Sequence, residues 1–323
     1  MMVGPIQFRD KVLRNIAAQG VAGAFWLEAL PDLLDRLEVE WSIKVGRLFP
    51  KATEAFVSDA VTADGQPVAL KIPIAGLAKA YREQRLLQTA GGRGYVRVLR
   101  RDTNSGAMLL ERLGPQLATL GFPIEDQIRI ICQTLQWAWA PLPPGVRYPT
   151  GAEKASEMFS HISTAWPRLG RPCSGKVVEV ALRFAEARRD AFDPADSVLA
   201  HGDAHAWNTL LAPTTNQCKL VDPDGLFIER AHDLSISIRE RSAELLAGDP
   251  VALAWKRCAL LSRLTGVPEN AIWQCGNDQS AHEQLGPLRI LPPGSRRRRG
   301  AQQATTKHAK SRCFSPLILP LRH

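Results

Sequence analysis

Residues 201–224 read HGDAHAWNTLLAPTTNQCKLVDPD, and they hold a spaced polar set: Asp203, Asn208 five positions later and Asp222 fourteen positions after that. Each of the three side chains offers a hard oxygen. A magnesium ion bridging two phosphates takes few protein ligands of this type, because it keeps several of its waters. The set therefore suits a magnesium and phosphate site. Two short apolar runs, TLLA and CKLV, flank the turn-like PTTNQ, which implies a hairpin whose ends present the three side chains in one place. Asp and Asn are also common turn formers, so this reading depends on what the rest of the chain supplies.

A phosphate site needs a cation and a floor for the nucleotide, and the stretch from Trp41 to Ile72 offers both. Three strand-like runs, WSIKVGRLF, EAFVSDAVT and QPVALKI, follow one another, the last two joined across Asp64-Gly65, a strong hairpin signal. In the third, the period of two puts Val68, Leu70 and Ile72 on one face and Ala69 with Lys71 on the other. Ala69 would leave room for a flat base and Lys71 would reach its phosphates; a solvated lysine on an exposed strand face is the other reading. A helix is expected over 76–90, with Leu77, Ala80, Tyr81, Leu86 and Leu87 as packing positions. It carries Glu83, the one acidic residue between Lys71 and Asp102 and so the sole nearby carboxylate to hold Lys71. YVRVLRR and AMLLERL complete about five strands, and Gly114-Pro115 close the sheet region.

Elsewhere the apolar spacing is helical. Residues 7–40 predict one or two helices, with Phe8, Val12, Ile16, Phe25, Leu30, Leu33, Leu34 and Leu37 as inward positions. After the sheet come helices over about 123–140, 153–169, 176–189, 232–240, 250–264 and 268–274. Asp233, at the start of the helix at 232, is read as a carboxylate that satisfies backbone N–H groups of the 201–208 loop. The expected organisation is α+β: a helical cap (1–40), a five-stranded antiparallel lobe (41–114), a mainly helical lobe carrying the hairpin (115–275) and an atypical basic tail (276–323).

The chain of 323 residues, 45% apolar, is long enough to bury a sizeable core. Its net charge of +9 is unevenly placed: nine Lys/Arg against Asp278 and Glu283 put +7 into residues 276–323, and the preceding 275 residues carry only +2. A dedicated nucleic-acid binder would carry its basic face on the folded domain, so nucleic acid is not an expected partner. VAGAFWLEALPDLL is broken by Glu28 and Pro31 and falls short of the ~18 apolar residues of a spanning helix. The N-terminus carries Arg9, Asp10, Lys11 and Arg14 where a secretory signal would be apolar. Six scattered cysteines without a CxxC pair read as reduced thiols. The expected compartment is the cytoplasm.

Taken in order, a strand lysine, a helix glutamate, LLERL, HGDAHAWN and DPDG resemble the series of the protein-kinase-like phosphotransferases. The HGDxHxxN form is similar to the aminoglycoside phosphotransferases, and HGDAHAWNTLL with LVDPDGLFIERAHDL looks like their streptomycin 6-phosphotransferase and hydroxyurea kinase group. The likeness covers roughly residues 40–275. It implies a bilobal kinase-like fold, ATP as donor and Mg²⁺ as cofactor. It also implies roles: Asp203 accepts or orients the proton of the attacking hydroxyl, Asn208 and Asp222 hold Mg²⁺, and Lys71, paired with Glu83, binds the α/β-phosphates. Adenine would meet main-chain groups around Glu111 to Leu113, where side-chain identity matters little, and His201 would be architectural. GRLFPKATEAF has a single Gly46 where eukaryotic kinases are glycine-rich. A cationic small molecule such as streptomycin would need acidic side chains, with Asp224 and Glu229 as candidates.

After Cys275 the texture changes to proline, arginine and polar clusters with no amphipathic repeat. The expectation is a foreign, poorly ordered segment whose presence endangers activity, or else a basic tail for an acidic partner. Against an active kinase stands a silent kinase-fold protein that binds nucleotide or a partner; it would have no chemical need to keep Lys71, Asp203, Asn208 and Asp222 together.

Overall fold

The computed structural model describes residues 8–49, 52, 54–74, 77–241, 244–245 and 247–285. Residues 286–323, most of the expected tail, lie outside this set, as do Pro50, Lys51 and Thr53 of the stretch around Gly46. The chain divides into two compact units, Met1–Gln116 with Leu210–Asp224 and Leu117–Thr209 with Gly225–His323.

The first unit is built on β1 (Ile43–Leu48), β2 (Ala55–Thr62), β3 (Pro67–Pro73), β4 (Val98–Arg101) and β5 (Met108–Glu111), in the order β1-β2-β3-β5-β4. Every neighbour is antiparallel. The period-two reading of β3 fits the packing: Val68, Leu70 and Ile72 enter one core with Phe56, Leu109 and the helix α2 (Val21–Trp41). That helix contributes Leu30, Leu34, Leu37 and Trp41, a single stripe at helical spacing, each side chain contributing about 2 kcal/mol by burial. Glu38, near the helix end, accepts the Val45 N–H at 2.7 Å and pairs with Lys44 at 2.8 Å. The N-terminal helices, α1 (Asp10–Ala18) and α2, thus share the core of the sheet and do not form a separate cap. Phe25, expected inward, is 71% exposed because it sits roughly 140° around the helix from Leu30.

Gly46 marks a close approach of strands. A Cβ there would stand 3.2 Å from the Asp59 carbonyl, and the β1–β2 register shifts between Val45 and Leu48. Helix α3 (Leu77–Ala90) buries Ala80, Leu86 and Leu87 but leaves Tyr81 40% exposed, its hydroxyl donating to the Thr103 carbonyl. The expected fourth strand is shortened at its start, since Tyr95 bridges Leu220 instead. The hairpin forms as β7 (Thr209–Leu211) and β8 (Cys218–Leu220). Its Leu211 carbonyl accepts the Gly114 N–H at 2.7 Å, and the Leu211 N–H donates to the Pro115 carbonyl at 3.0 Å. Leu210–Asp224 therefore group with the sheet and not with the helical unit as expected.

The second unit holds α4 (Ile124–Ala138), α5 (Gly151–Arg168), α6 (Gly175–Asp190), α7 (Arg230–Arg239), α8 (Pro250–Thr265) and α9 (Glu269–Leu285). A capping box of Thr150 and Glu153 starts α5. The strands β6 (Ser197–Ala200) and β9 (Leu226–Glu229) pair antiparallel through four positions, too short a run for the sequence pattern to show. Helix α9 continues to Leu285, ten residues beyond the boundary expected at Cys275. Gln279 is buried with its Nε2 2.8 Å from His232 Nδ1, and its Oε1 accepts from Ser235 Oγ at 3.1 Å. Residues 276–285 are helical, so the expectation of disorder fails for them. Among the described residues no helix is long and apolar enough to cross a membrane.

Candidate active site

In the first unit, Lys71, Glu83 and Asp222 are brought together. Lys71 Nζ lies 2.5 Å from Glu83 Oε1 and 2.6 Å from Asp222 Oδ1. Lys71 is only 8% exposed and Glu83 5%, so the lysine is not the solvated residue of an open strand face. Burial penalises the ammonium, but Asp222 and then Glu83 outweigh that penalty and hold the pKa above the ordinary lysine range. Asp222 sits at φ +59, a left-handed conformation that Asp and Asn tolerate better than most side chains. Ala69, on the same face as Lys71, is buried.

Asp224, one of the two substrate candidates, pairs with Lys79 at 2.9 Å, and Lys79 also reaches Glu54 at 2.9 Å. The Glu111 side chain has partners of its own: Oε1 accepts the Arg97 N–H at 2.7 Å and pairs with Lys219 of β8. The Leu113 carbonyl accepts from Arg112, whose Nε also donates to Asp59 at 2.6 Å and whose guanidinium lies 4.5 Å from the Phe49 ring centroid.

In the second unit, Asp203 and Asn208 stand together on the loop after β6. Gly202, at φ +90, supplies a backbone conformation that other residues adopt only under strain. The loop hangs on Asp233: its Oδ2 accepts the His201 N–H at 3.0 Å and Trp139 Nε1–H at 2.9 Å, and its Oδ1 accepts the Gly202 N–H at 2.7 Å. Asp233 is fully buried, as the reading of it as a loop anchor requires. His201, also fully buried, accepts the Asp203 N–H on Nδ1 at 3.0 Å. Asn208 Nδ2 donates to the Asp203 carbonyl at 3.0 Å and to Asp203 Oδ2 at 3.3 Å, which turns its amide oxygen the other way. His205 Nε2 lies 3.3 Å from Asp203 Oδ2. Burial raises the Asp203 pKa, but its polar surroundings, the His205 side chain first among them, more than offset it and leave the carboxyl below its usual value.

Glu229, the other substrate candidate, is bound at 2.9 Å to Arg188, and Cys275 Sγ lies 3.7 Å from its second oxygen. Burial, opposed by Arg188, raises its pKa. Both acidic candidates are thus already partnered. His205, Lys79, Lys219 and Arg112 escaped the sequence reading. His205 stood two places after Asp203 inside the motif, and Lys79 one helical turn before Glu83, which were the available signals.

Among the described residues no group of three His, Cys, Asp or Glu side chains forms a metal cluster. Asp222 of the first unit offers a carboxylate and Asn208 of the second an amide oxygen, and each is a donor type that fits Mg²⁺, which takes few protein oxygens and completes its shell with water and phosphate. A buried lysine fixed by two carboxylates and an ionised aspartate beside an oriented asparagine are parts for handling phosphates and a hydroxyl.

The fold is protein-kinase-like. The chain is similar to macrolide 2'-phosphotransferase from Brachybacterium faecium (TM-score 0.58, 17% identity, covering 92% of this chain and 100% of that one). It is also similar to choline kinase from Streptococcus pneumoniae (TM-score 0.56, 16% identity, 88% and 99%). Residues 41–270 match the family described as aminoglycoside/hydroxyurea antibiotic resistance kinase, and the chain belongs to that family. Among curated relatives, streptomycin 6-kinase of Streptomyces glaucescens is 25% identical over 286 residues, 82% of this chain and 89% of its own length. Hydroxyurea phosphotransferase of Kitasatospora aureofaciens is 30% identical over 205 residues, 59% and 56% respectively.

Proposed function

We propose that the protein is an ATP-dependent kinase that phosphorylates a hydroxyl of a small antibiotic-like molecule and thereby inactivates it, with streptomycin as the first candidate acceptor and hydroxyurea as the second. The observation that carries the reading is the buried Lys71 held between Glu83 and Asp222, retained in a chain that also keeps Asp203 beside Asn208. A silent fold has no need to bury a charged lysine between two carboxylates, an arrangement that costs desolvation energy. Membership of the family and the streptomycin and hydroxyurea kinases among the relatives support both acceptors.

Lys71 binds the α/β-phosphates of ATP, and Glu83 keeps its ammonium aimed. Asp222 and Asn208 supply oxygens for Mg²⁺, which when bound neutralises charge on the phosphates. Main-chain groups between Glu111 and Leu113 meet the adenine over Ala69, with Lys219 and Arg112 fixing that stretch. Asp203, ionised across the neutral range, is too weak a base to deprotonate an alcohol in advance; it orients the hydroxyl and takes its proton late in the transfer. Because Asp224 and Glu229 are paired with Lys79 and Arg188, either would have to exchange its partner to bind a cationic substrate. The test is ATP consumption with streptomycin, other aminoglycosides and hydroxyurea as acceptors, with Asp203→Ala as control. Turnover in the variant equal to that of the natural chain overturns the mechanism.

A further inference from the structure

We infer that His205 is a positioning residue that selects which oxygen of Asp203 meets the acceptor hydroxyl. The inference rests on the phosphotransferase reading and adds to it a residue and an orientation. Two nitrogens converge on Oδ2: Asn208 Nδ2 donates to it at 3.3 Å, and His205 Nε2 is paired with it at 3.3 Å. Both distances are long, as those at catalytic groups often are before substrate binds. Oδ1 has no hydrogen-bond partner among the described residues, and the Asp203 side chain remains 47% exposed. A carboxylate is otherwise free to turn and exchange its two oxygens; two nitrogens on the same oxygen remove that freedom before the acceptor arrives.

The histidine is itself fixed. Its Nδ1 accepts the Trp207 N–H at 3.2 Å, which places the proton of the neutral ring on Nε2, facing Asp203. Its backbone N–H donates to the Asp203 carbonyl at 3.1 Å, and its own carbonyl accepts from the Asn208 N–H at 2.9 Å and from Thr209 Oγ1 at 3.0 Å. The Ala206 N–H, next in the loop, donates to Glu240 at 3.4 Å. The ring is therefore one member of a loop whose polar groups face inward on one another.

In the transfer, the acceptor oxygen forms its bond to the γ-phosphorus as the bond from that phosphorus to the β,γ-bridging oxygen breaks. The electron pair of the broken bond leaves with ADP, and the hydroxyl proton passes to Asp203 Oδ1. His205 neither gains nor loses a proton. Its contribution is geometric, and misplacing a reacting group by about 1 Å costs on the order of 100-fold in rate.

Three variants separate this role from a purely structural one. Gln at 205 carries an amide N–H to about the reach of Nε2, Asn carries one only as far as Nδ1, and Leu carries none. With nucleotide KM and thermal midpoint measured alongside, His205→Gln is expected to stay within about 5-fold of the natural kcat, while His205→Asn and His205→Leu fall about 100-fold at unchanged nucleotide KM. Equal losses in all three variants, or a loss confined to KM, overturn the proposal. Nitrogen-15 NMR of the histidine rings gives a readout independent of turnover: His205 is expected as the Nε2–H tautomer, its Nε2 resonance moving in Asp203→Ala. A proton on Nδ1 overturns the proposal whatever the activity. A natural chain without turnover on any acceptor overturns the kinase reading instead, and the NMR result still decides the orientation.

Discussion

Lys71 Nζ lies 2.6 Å from Asp222 Oδ1 although 151 positions separate the two residues, and 2.5 Å from Glu83 Oε1. The three side chains act as a unit in a low-dielectric place, so removing one partner leaves a charge uncompensated. Lys71→Met is expected to cost about 3 kcal/mol by stranding the buried Glu83 carboxylate. Lys71→Met with Glu83→Leu should recover part of that loss. Urea midpoints of the four members of the cycle at constant m measure it; additive losses would contradict a coupled unit.

Asp233 holds the 201–208 loop from below through three donors. Asp233→Ala leaves two backbone N–H groups and an indole N–H buried without acceptors, at about 1–3 kcal/mol for each donor. The variant is expected to lose thermal stability by several degrees and to lose turnover with it. Asp233→Asn, which keeps one oxygen, should lie between. A variant to Ala with an unchanged midpoint would contradict the anchor.

Burial pushes the Cys132 and Cys258 thiols up to about 12 and raises Cys218, while Cys173 is half-buried. Since the thiolate is the reactive form, alkylation at pH 8 is expected to label Cys173 first among the cysteines of the described residues and to reach Cys132 and Cys258 only at the rate of unfolding. Mass mapping of the labelled sites after timed quenching checks this. Rapid labelling of Cys132 in the folded protein would contradict it.

Asp102 joins α2 to the β4–β5 turn through Arg36 at 2.5 Å. Burial raises its pKa, but the hydrogen bonds from Arg36, Ser105 and the Asn104 N–H more than compensate and leave it depressed. A depressed folded pKa contributes stability that is present above the unfolded value, about 3.9, and is lost as pH falls through the lower folded value. Asp102→Asn is therefore expected to be less stable between pH 5 and 7, by less than about 1 kcal/mol because Arg36 is 41% exposed. The gap should close in acid, and thermal melts at stepped pH measure it. A gap that widens with acid would contradict the assignment.

The face of β3, the Lys71–Glu83 pairing and the anchoring by Asp233 were legible because each depends on a local rule: strand parity, scarcity of carboxylates, a helix-start position. What stayed hidden depends on the fold. Strands β6 and β9 pair over only four residues, and nothing in LFIE distinguishes a strand from a helix start. The grouping of Leu210–Asp224 with the sheet follows from bonds to Gly114 and Pro115, far away in sequence. Asp224 and Glu229 looked available for a cation because Lys79 and Arg188 are distant along the chain. Helix α9 ran past Cys275 because His232 and Ser235 of α7 give the polar Gln279 buried partners, which a search for apolar repeats does not register.

Phosphoryl transfer itself is the most direct measurement. The natural chain and Asp203→Ala are incubated with ATP, Mg²⁺ and streptomycin or hydroxyurea, and ADP release is followed with the mass of the acceptor. The account predicts one phosphorylated acceptor for each ADP from the natural chain and a kcat lower by about 10²–10⁴-fold in the variant. Equal rates from the two chains, or ADP release without any phosphorylated acceptor, would contradict it.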